Sequence, residues 1–193
     1  MEPNNLEIPF KIVIVGDAGV GKSSYVQKQF SPDFNRDYLQ TVGYEISRWS
    51  RNLTTGYVNI DLWDISGSQS TVSDRQSWLK NSDAAIIMVD LAQSITFENA
   101  LRWYKELLAA NPSGIPIVVS TWKPVSKDKI LHIDPEALFW LGETENVQFY
   151  DLASDISRFD QPMLHIIRSL KKDPTTQFWF PYTMTDDSSV ISD

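Results

Sequence analysis

The chain has 193 residues, of which 42% are hydrophobic and 22% charged, which is enough apolar material for one compact domain and argues against a disordered chain. Its net charge of −8 argues against a general nucleic-acid binder or an anionic-membrane binder and permits basic partners. The absence of cysteine excludes disulfides, thiolate zinc sites, a thiol nucleophile and the usual C-terminal lipid anchors.

In chain order, residues 1–9 are polar and acidic and are expected to be a flexible lead-in rather than a signal peptide. No apolar run approaches the roughly 20 residues that span a bilayer, so a soluble, intracellular chain is expected. Lys11 to Val15 (KIVIV) predicts a short buried strand, followed at once by the glycine-rich turn Gly16–Gly21 and a helix over Lys22 to Phe30. Pro32 to Thr41 is polar and irregular. Tyr44 to Trp49 and Tyr57 to Trp63 predict a hairpin turning near Thr54, Thr55 and Gly56, and Asp64 to Arg75 predicts a mobile loop. Ala84 to Val89 is a fully buried strand. The helix after it places Phe97, Leu101, Tyr104 and Leu108 on its inner face and breaks at Asn111–Gly114. Ile115 to Val119 predicts a strand, Pro135 to Leu141 a short helix, Val147 to Tyr150 the last strand, and Met163, Ile166, Ile167 and Leu170 the inner face of the last helix. Beyond Asp173 an aromatic stretch gives way to a polar tail. The alternation of strands and helices predicts an α/β fold with a mostly parallel sheet.

Gly16-Asp17-Ala18-Gly19-Val20-Gly21-Lys22-Ser23 fits G-x-x-x-x-G-K-[ST] and lies between a predicted strand and a predicted helix, the setting that the motif requires. The glycines let the backbone curl so that successive N–H groups face a phosphate, and the start of the helix adds its positive dipole end. Lys22 supplies a point charge to the β- and γ-phosphates, and the Ser23 hydroxyl is suited to Mg²⁺. The run from Asp17 to Ser24 is the expected phosphate-contacting segment: Asp17, Ala18, Gly19, Val20, Gly21, Lys22, Ser23 and Ser24.

With the P-loop stand Thr41-Val42-Gly43-Tyr44-Glu45, Trp63-Asp64-Ile65-Ser66-Gly67, Ala85 to Asp90, Ile115 to Val118 and Phe149-Tyr150-Asp151. On these residues the chain resembles the small GTPases of the Ras superfamily, and within them the nuclear-transport branch, Ran, almost without gaps from about Phe10 to Leu170. The resemblance implies a P-loop NTPase fold, a six-stranded and mostly parallel sheet with helices on both faces, occupying residues 10–172 with a short tail over 173–193. It implies GTP or GDP with Mg²⁺ as ligands. Thr41 would close over Mg²⁺, Asp64 would hold it through water, the Gly67 N–H would meet the γ-phosphate, and Tyr38 would cover the nucleotide. It also implies partners of the importin-β receptor or Ran-binding-domain kind, a monomer in nucleus and cytoplasm, no lipid anchor and no direct contact with nucleic acid.

Three departures from the family pattern stand beside the matches. The catalytic glutamine that follows the glycine of D-x-x-G is Ser68 here, with Gln69 one residue later. A serine is too short to orient the attacking water, and a misplacement of about 1 Å costs on the order of 10²-fold, so slow or absent hydrolysis is expected. The guanine-reading Asn-Lys-x-Asp is Trp122-Lys123-Pro124-Val125, and the following Ser-Ala-Lys is Ala153-Ser154-Asp155. Losing two charge-assisted bonds at roughly 1.5–3 kcal/mol each weakens guanine recognition by about 10²–10⁴-fold. Trp122 stacking on the base, or Asp155 taking its edge, is one outcome; a decayed base pocket with Trp122 packed on the surface is the other. Finally, the residues after Asp173-Pro174 hold no convincing helix and few acidic groups, so the element that stabilises the diphosphate state of Ran is not expected.

His132 and His165 lie on separate elements and are expected to be ordinary packed or solvated histidines. Asp33, Arg36 and Asp37 form a solvated charged run. Arg75 is either a receptor contact or a solvated loop residue, and Trp49, Trp78, Trp103 and Trp179 are either partner anchors or, by default, packed against neighbouring elements. Together these readings give a nucleotide-dependent or constitutively triphosphate-like binding switch. An active GTPase using Gln69 or a partner's groups, and a scaffold that needs no nucleotide, are the alternatives.

Overall fold

The computed structural model describes residues 8–31, 40–68, 72–123, 144, 147–153 and 155–179. Among these, six strands form one sheet in the order β2-β3-β1-β4-β5-β6. They are β1 (Phe10–Val15), β2 (Tyr44–Leu53), β3 (Gly56–Ile65), β4 (Ala84–Val89), β5 (Ile117–Thr121) and β6 (Val147–Asp151). Only the β2–β3 hairpin is antiparallel; the remaining pairs are parallel. The helices are α1 (Lys22–Lys28), α2 (Val72–Leu79), α3 (Ile95–Ala110) and α4 (Gln161–Lys171).

Residues Ile12 to Val15 and all of β4 are fully buried, as parallel strands covered on both faces must be. Alternation along β1 divides the core. Ile12 and Ile14 face Tyr25 and Val26 of α1 and Met163, Ile166 and Ile167 of α4. Val13 and Val15 face Leu79 of α2 and Phe97, Ala100, Trp103 and Leu107 of α3. The helices therefore cover both faces, as a doubly covered α/β sheet requires.

Several boundaries differ from the sequence expectation. The hairpin runs on from Trp49 to Leu53 because the backbone ladder from Tyr44↔Ile65 to Leu53↔Gly56 carries the polar residues Ser50, Arg51 and Asn52. β5 begins at Ile117 rather than Ile115, since Pro116 has no N–H for the ladder. It ends at Thr121, whose buried hydroxyl donates to Asp151 Oδ1 at 2.7 Å. α1 stops at Lys28 and leaves Phe30 exposed.

The expected loop over 64–75 is overturned at both ends: β3 continues to Ile65, and α2 begins at Val72. α2 has almost no apolar stripe for a periodicity argument to detect. It is held by Leu79, fully buried, and by Arg75, whose guanidinium pairs with Glu106 of α3 at 3.0 Å. The inner face of α3 is Phe97, Ala100, Trp103, Leu107 and Ala110, with Leu101, Tyr104 and Leu108 half-buried beside it. Trp103 and Trp49 are both buried, as the default reading of packing against neighbouring elements expects. The short helix expected at Pro135 to Leu141 lies outside the described residues.

After α4 the chain turns at Lys172 and runs back along the hairpin. Phe178 bridges Leu53, Trp179 N donates to Asn52 O at 3.0 Å, and Thr54 N donates to Gln177 O at 2.9 Å. Thr176 is fully buried there, its carbonyl accepting from Arg168 Nε at 2.8 Å. The Asp173–Trp179 segment thus packs as a strap on the sheet edge.

Candidate functional site

The loops leaving β1, β3, β4 and β5 open at the same C-terminal edge of the sheet, with β1 central between β3 and β4. The Gly16–Gly21 turn starts where β1 ends, and Val20 anchors it in the core. Gly21 has φ +103°, a left-handed conformation that glycine adopts freely, and it carries the chain into α1. Lys22 is only 6% exposed, and its ammonium folds back to donate to the carbonyls of Gly16 at 3.0 Å and Asp17 at 2.8 Å. Burial pushes the Lys22 pKa down to about 8, against the attraction of Asp64 and Asp17. Ala18 and Ser24 stand exposed at the rim of this turn.

Beside the ammonium three oxygen donors converge from three distant parts of the chain. The Ser23 hydroxyl donates to Asp64 Oδ2, the Thr41 hydroxyl reaches the same oxygen at 3.3 Å, and the two hydroxyls lie 3.0 Å apart. Asp64 is buried, and its other oxygen, Oδ1, has no hydrogen-bond partner. Burial raises the Asp64 pKa; the Ser23 bond, the Lys22 charge and the Thr41 bond oppose this, and Glu45 adds to it. An orphaned buried oxygen costs roughly 1–3 kcal/mol. A hard cation at this spot recovers that cost, and two hydroxyls with a carboxylate are the donors that Mg²⁺ takes. The site fits the ion.

Gly67 lies flat against the turn. A Cβ there would fall 2.3 Å from the Asp17 carbonyl carbon and 2.4 Å from Ala18 N, so only glycine permits this approach. The start of this segment is tied to the other side of the site by Ser66 N donating to Gly43 O at 2.8 Å. Ser68, at the family's glutamine position, has its hydroxyl 2.7 Å from that of Ser66. Gln69, Tyr38 and Ser154 lie outside the described residues.

On the base side, Trp122 packs inward. Its ring meets Phe159 at 5.3 Å and Tyr25 at 6.0 Å, and its Cδ1 would be 2.5 Å from a Cβ on Gly21. The indole is half-buried and packs against one core face. Lys123 reaches Asp90 Oδ2 at 3.4 Å; Asp90 also accepts from Ala92 N and Gln93 Nε2. Asp155 is exposed and caps its own turn, accepting from the Ser157 N–H and hydroxyl, so its carboxylate is turned to local structure.

Sequence reasoning missed the role of the Asp17 side chain. It turns away from the cradle to α3, accepting from Asn99 Nδ2 at 2.6 Å and from Trp103 Nε1 and Arg102 Nη2 at 3.1 Å each. No local pattern marks such a contact, since the partners lie more than eighty residues away. Arg75 is likewise buried against Glu106 rather than presented to a receptor. Among the described residues there is no cluster of three or more acidic or histidine side chains suited to a metal on their own.

The sheet order, the P-loop after β1 and the donors gathered at the strand ends define a P-loop NTPase of the Ras-like G-domain class. Residues 11–123, more than half of the chain, match the family described as Ras of Complex, Roc, domain of DAPkinase, and the chain belongs to that Ras-like GTPase family. Ras-like GTPases hold GTP or GDP with Mg²⁺ and act as binding switches.

Proposed function

We propose that this chain is a binding switch that holds a nucleoside triphosphate with Mg²⁺, hydrolyses it slowly and discriminates weakly between bases. The observation that carries the reading is the convergence of Lys22, Ser23, Thr41 and Asp64 beside the P-loop, with a serine rather than a glutamine behind Gly67. Lys22 meets the phosphate charge, and Ser23, Thr41 and Asp64 hold the ion, which neutralises phosphate oxygens when bound. Thr41 links the segment before β2 to ligand occupancy, because its hydroxyl already lies within reach of both other donors. Ser68 is engaged with Ser66 and too short to position water. On the base side, an indole packed with Tyr25 and Phe159 stands where the family's asparagine makes polar bonds.

The resemblance to Ran extends the proposal to partners of the importin-β receptor or Ran-binding-domain kind, met in nucleus and cytoplasm. A surface suited to a partner adjoins Thr41: Val42, Tyr44 and Ile46 are exposed, and Tyr44 is braced by stacking on Trp63 at 4.9 Å.

Single-turnover hydrolysis of bound GTP tests the slow-turnover claim against Ser68→Gln. The wild-type chain is expected to be slow, and the glutamine variant faster by about 10²-fold. Fast wild-type turnover, unchanged by the substitution, supports instead an active GTPase using Gln69.

A further inference from the structure

Asp17 occupies a position that the P-loop motif leaves open, yet its carboxylate is the most heavily bonded side chain in the turn. Three donors from α3 hold it: Asn99 at 2.6 Å on one oxygen, and Trp103 Nε1 and Arg102 at 3.1 Å each on the other. The buried Trp103 ring that donates this N–H also meets two guanidinium groups. Arg102 lies 5.2 Å from its centroid, and Arg75, reaching across from α2, lies 5.7 Å away. Arg75 is fixed in turn by Glu106, one turn further along α3, through contacts at 3.0 and 3.3 Å. A continuous chain of contacts therefore runs from the P-loop through the indole to α2.

The same residue is also touched from the other direction. Gly67 lies against the Asp17 backbone so closely that a Cβ would overlap it at 2.3 Å. Gly67 and α2 are thus both linked to Asp17, the first by contact with its backbone and the second through its carboxylate, Trp103 and Arg75. The Asp17 carbonyl accepts from the Lys22 ammonium at 2.8 Å, and a phosphate in the cradle competes for that ammonium. When Lys22 changes partner, the carbonyls of Gly16 and Asp17 both lose its hydrogen bond.

We propose that Asp17 and Trp103 are positioning residues that couple occupancy of the P-loop to the placement of α2. The nucleotide-dependent half of this inference rests on the reading that the cradle takes a triphosphate; the coupling itself does not. Charge-assisted hydrogen bonds at one end and cation–π contacts at the other link the P-loop, α3 and α2, alongside the direct packing of α2 on α3, where Asn111 Nδ2 donates to Leu79 O at 2.9 Å. Because α3 is packed along β4 with Phe97, Ala100, Trp103 and Leu107 buried, the indole is held and cannot absorb a shift of Asp17 by swinging freely.

Amide hydrogen exchange on the full chain decides it, using Trp103→Phe, which removes the N–H and keeps a ring, Asp17→Asn, Arg75→Met, and Leu108→Ala as a control on the same helix away from the relay. Without nucleotide, Arg75→Met is expected to speed exchange at residues 17–21 by roughly tenfold, and Trp103→Phe and Asp17→Asn to speed exchange in α2 similarly. Leu108→Ala is expected to change neither segment selectively. With GTPγS and Mg²⁺, α2 should become protected in the wild-type chain and not in Trp103→Phe loaded to the same extent. P-loop exchange unaffected by Arg75→Met, or an effect matched by Leu108→Ala, overturns the coupling. So does full α2 protection in loaded Trp103→Phe. Filter binding of GTPγS to the wild-type chain is scored separately: failure to bind removes the nucleotide reading, while the exchange effects without nucleotide still decide the relay.

Discussion

Lys22 and Asp64 show how burial sets the chemistry of the cradle. The Lys22 ammonium is held on two carbonyls, and burial brings its pKa down to about 8. An unfolded lysine titrates at 10.5, so the unfolded chain binds more protons between about pH 8 and 10.5. This group's contribution to stability therefore rises with pH through that window. Triphosphate binding runs the opposite way, since it requires the ammonium: affinity should be flat below about pH 7 and fall above pH 8, approaching tenfold per pH unit. Equilibrium titrations with a fluorescent triphosphate analogue at pH 6 to 10 measure this, and a flat profile would exclude Lys22 as the phosphate ligand. A second prediction concerns Gly21, where φ of +103° and the 2.5 Å approach to Trp122 both oppose a side chain. Gly21→Ala should cost about 2 kcal/mol, read by urea unfolding, and Trp122→Ala in the same chain should recover part of that by opening space. Strict additivity would show that the ring does not press on the turn. The place of the glycine-rich turn between β1 and α1 was legible in the sequence because the motif is local, a single run from Gly16 to Ser23. The inward turn of Trp122 was not, because it depends on Tyr25 and Phe159, which approach only after folding.

At the scale of elements, what the sequence revealed depended on whether an element is held by apolar periodicity. β4 was read correctly from end to end because every one of its residues is buried and apolar. The first half of α2, up to Arg75, reads as loop in the sequence because an ion pair to Glu106 and one leucine help to hold the helix, and neither leaves a periodic trace. The strap over Asp173–Trp179 was hidden for a related reason: it is an isolated bridge and a few backbone bonds rather than a strand or helix. Phe178 is its apolar anchor, meeting the buried Trp49 edge-on at 5.8 Å. Phe178→Ala should lower stability by about 1–3 kcal/mol, seen as a lower urea midpoint with the slope unchanged. A midpoint equal to the wild-type value would mean that the strap merely lies on the hairpin. Because β2 leads back to Thr41, loosening the strap is also expected to raise exchange along the outer edge of β2.

For the molecule as a whole, fold and site agree on one end of the sheet. The strands bring Ser23, Thr41 and Asp64 together from three separate segments, and Gly67 closes against the turn between them. The residues proposed to hold phosphate and Mg²⁺ lie together there, while Ser68, Trp122 and Val125 stand where the resemblance expects the catalytic glutamine and the guanine-reading asparagine and aspartate. The central claim is that such a chain keeps its triphosphate. It is tested most directly by denaturing the purified protein and identifying the released nucleotide by chromatography, with a second sample first incubated with Mg²⁺ and GTP. The account predicts bound, undegraded triphosphate, stoichiometric after loading. Recovery of diphosphate alone would contradict slow hydrolysis, and a cradle that stays empty after loading would contradict the switch itself.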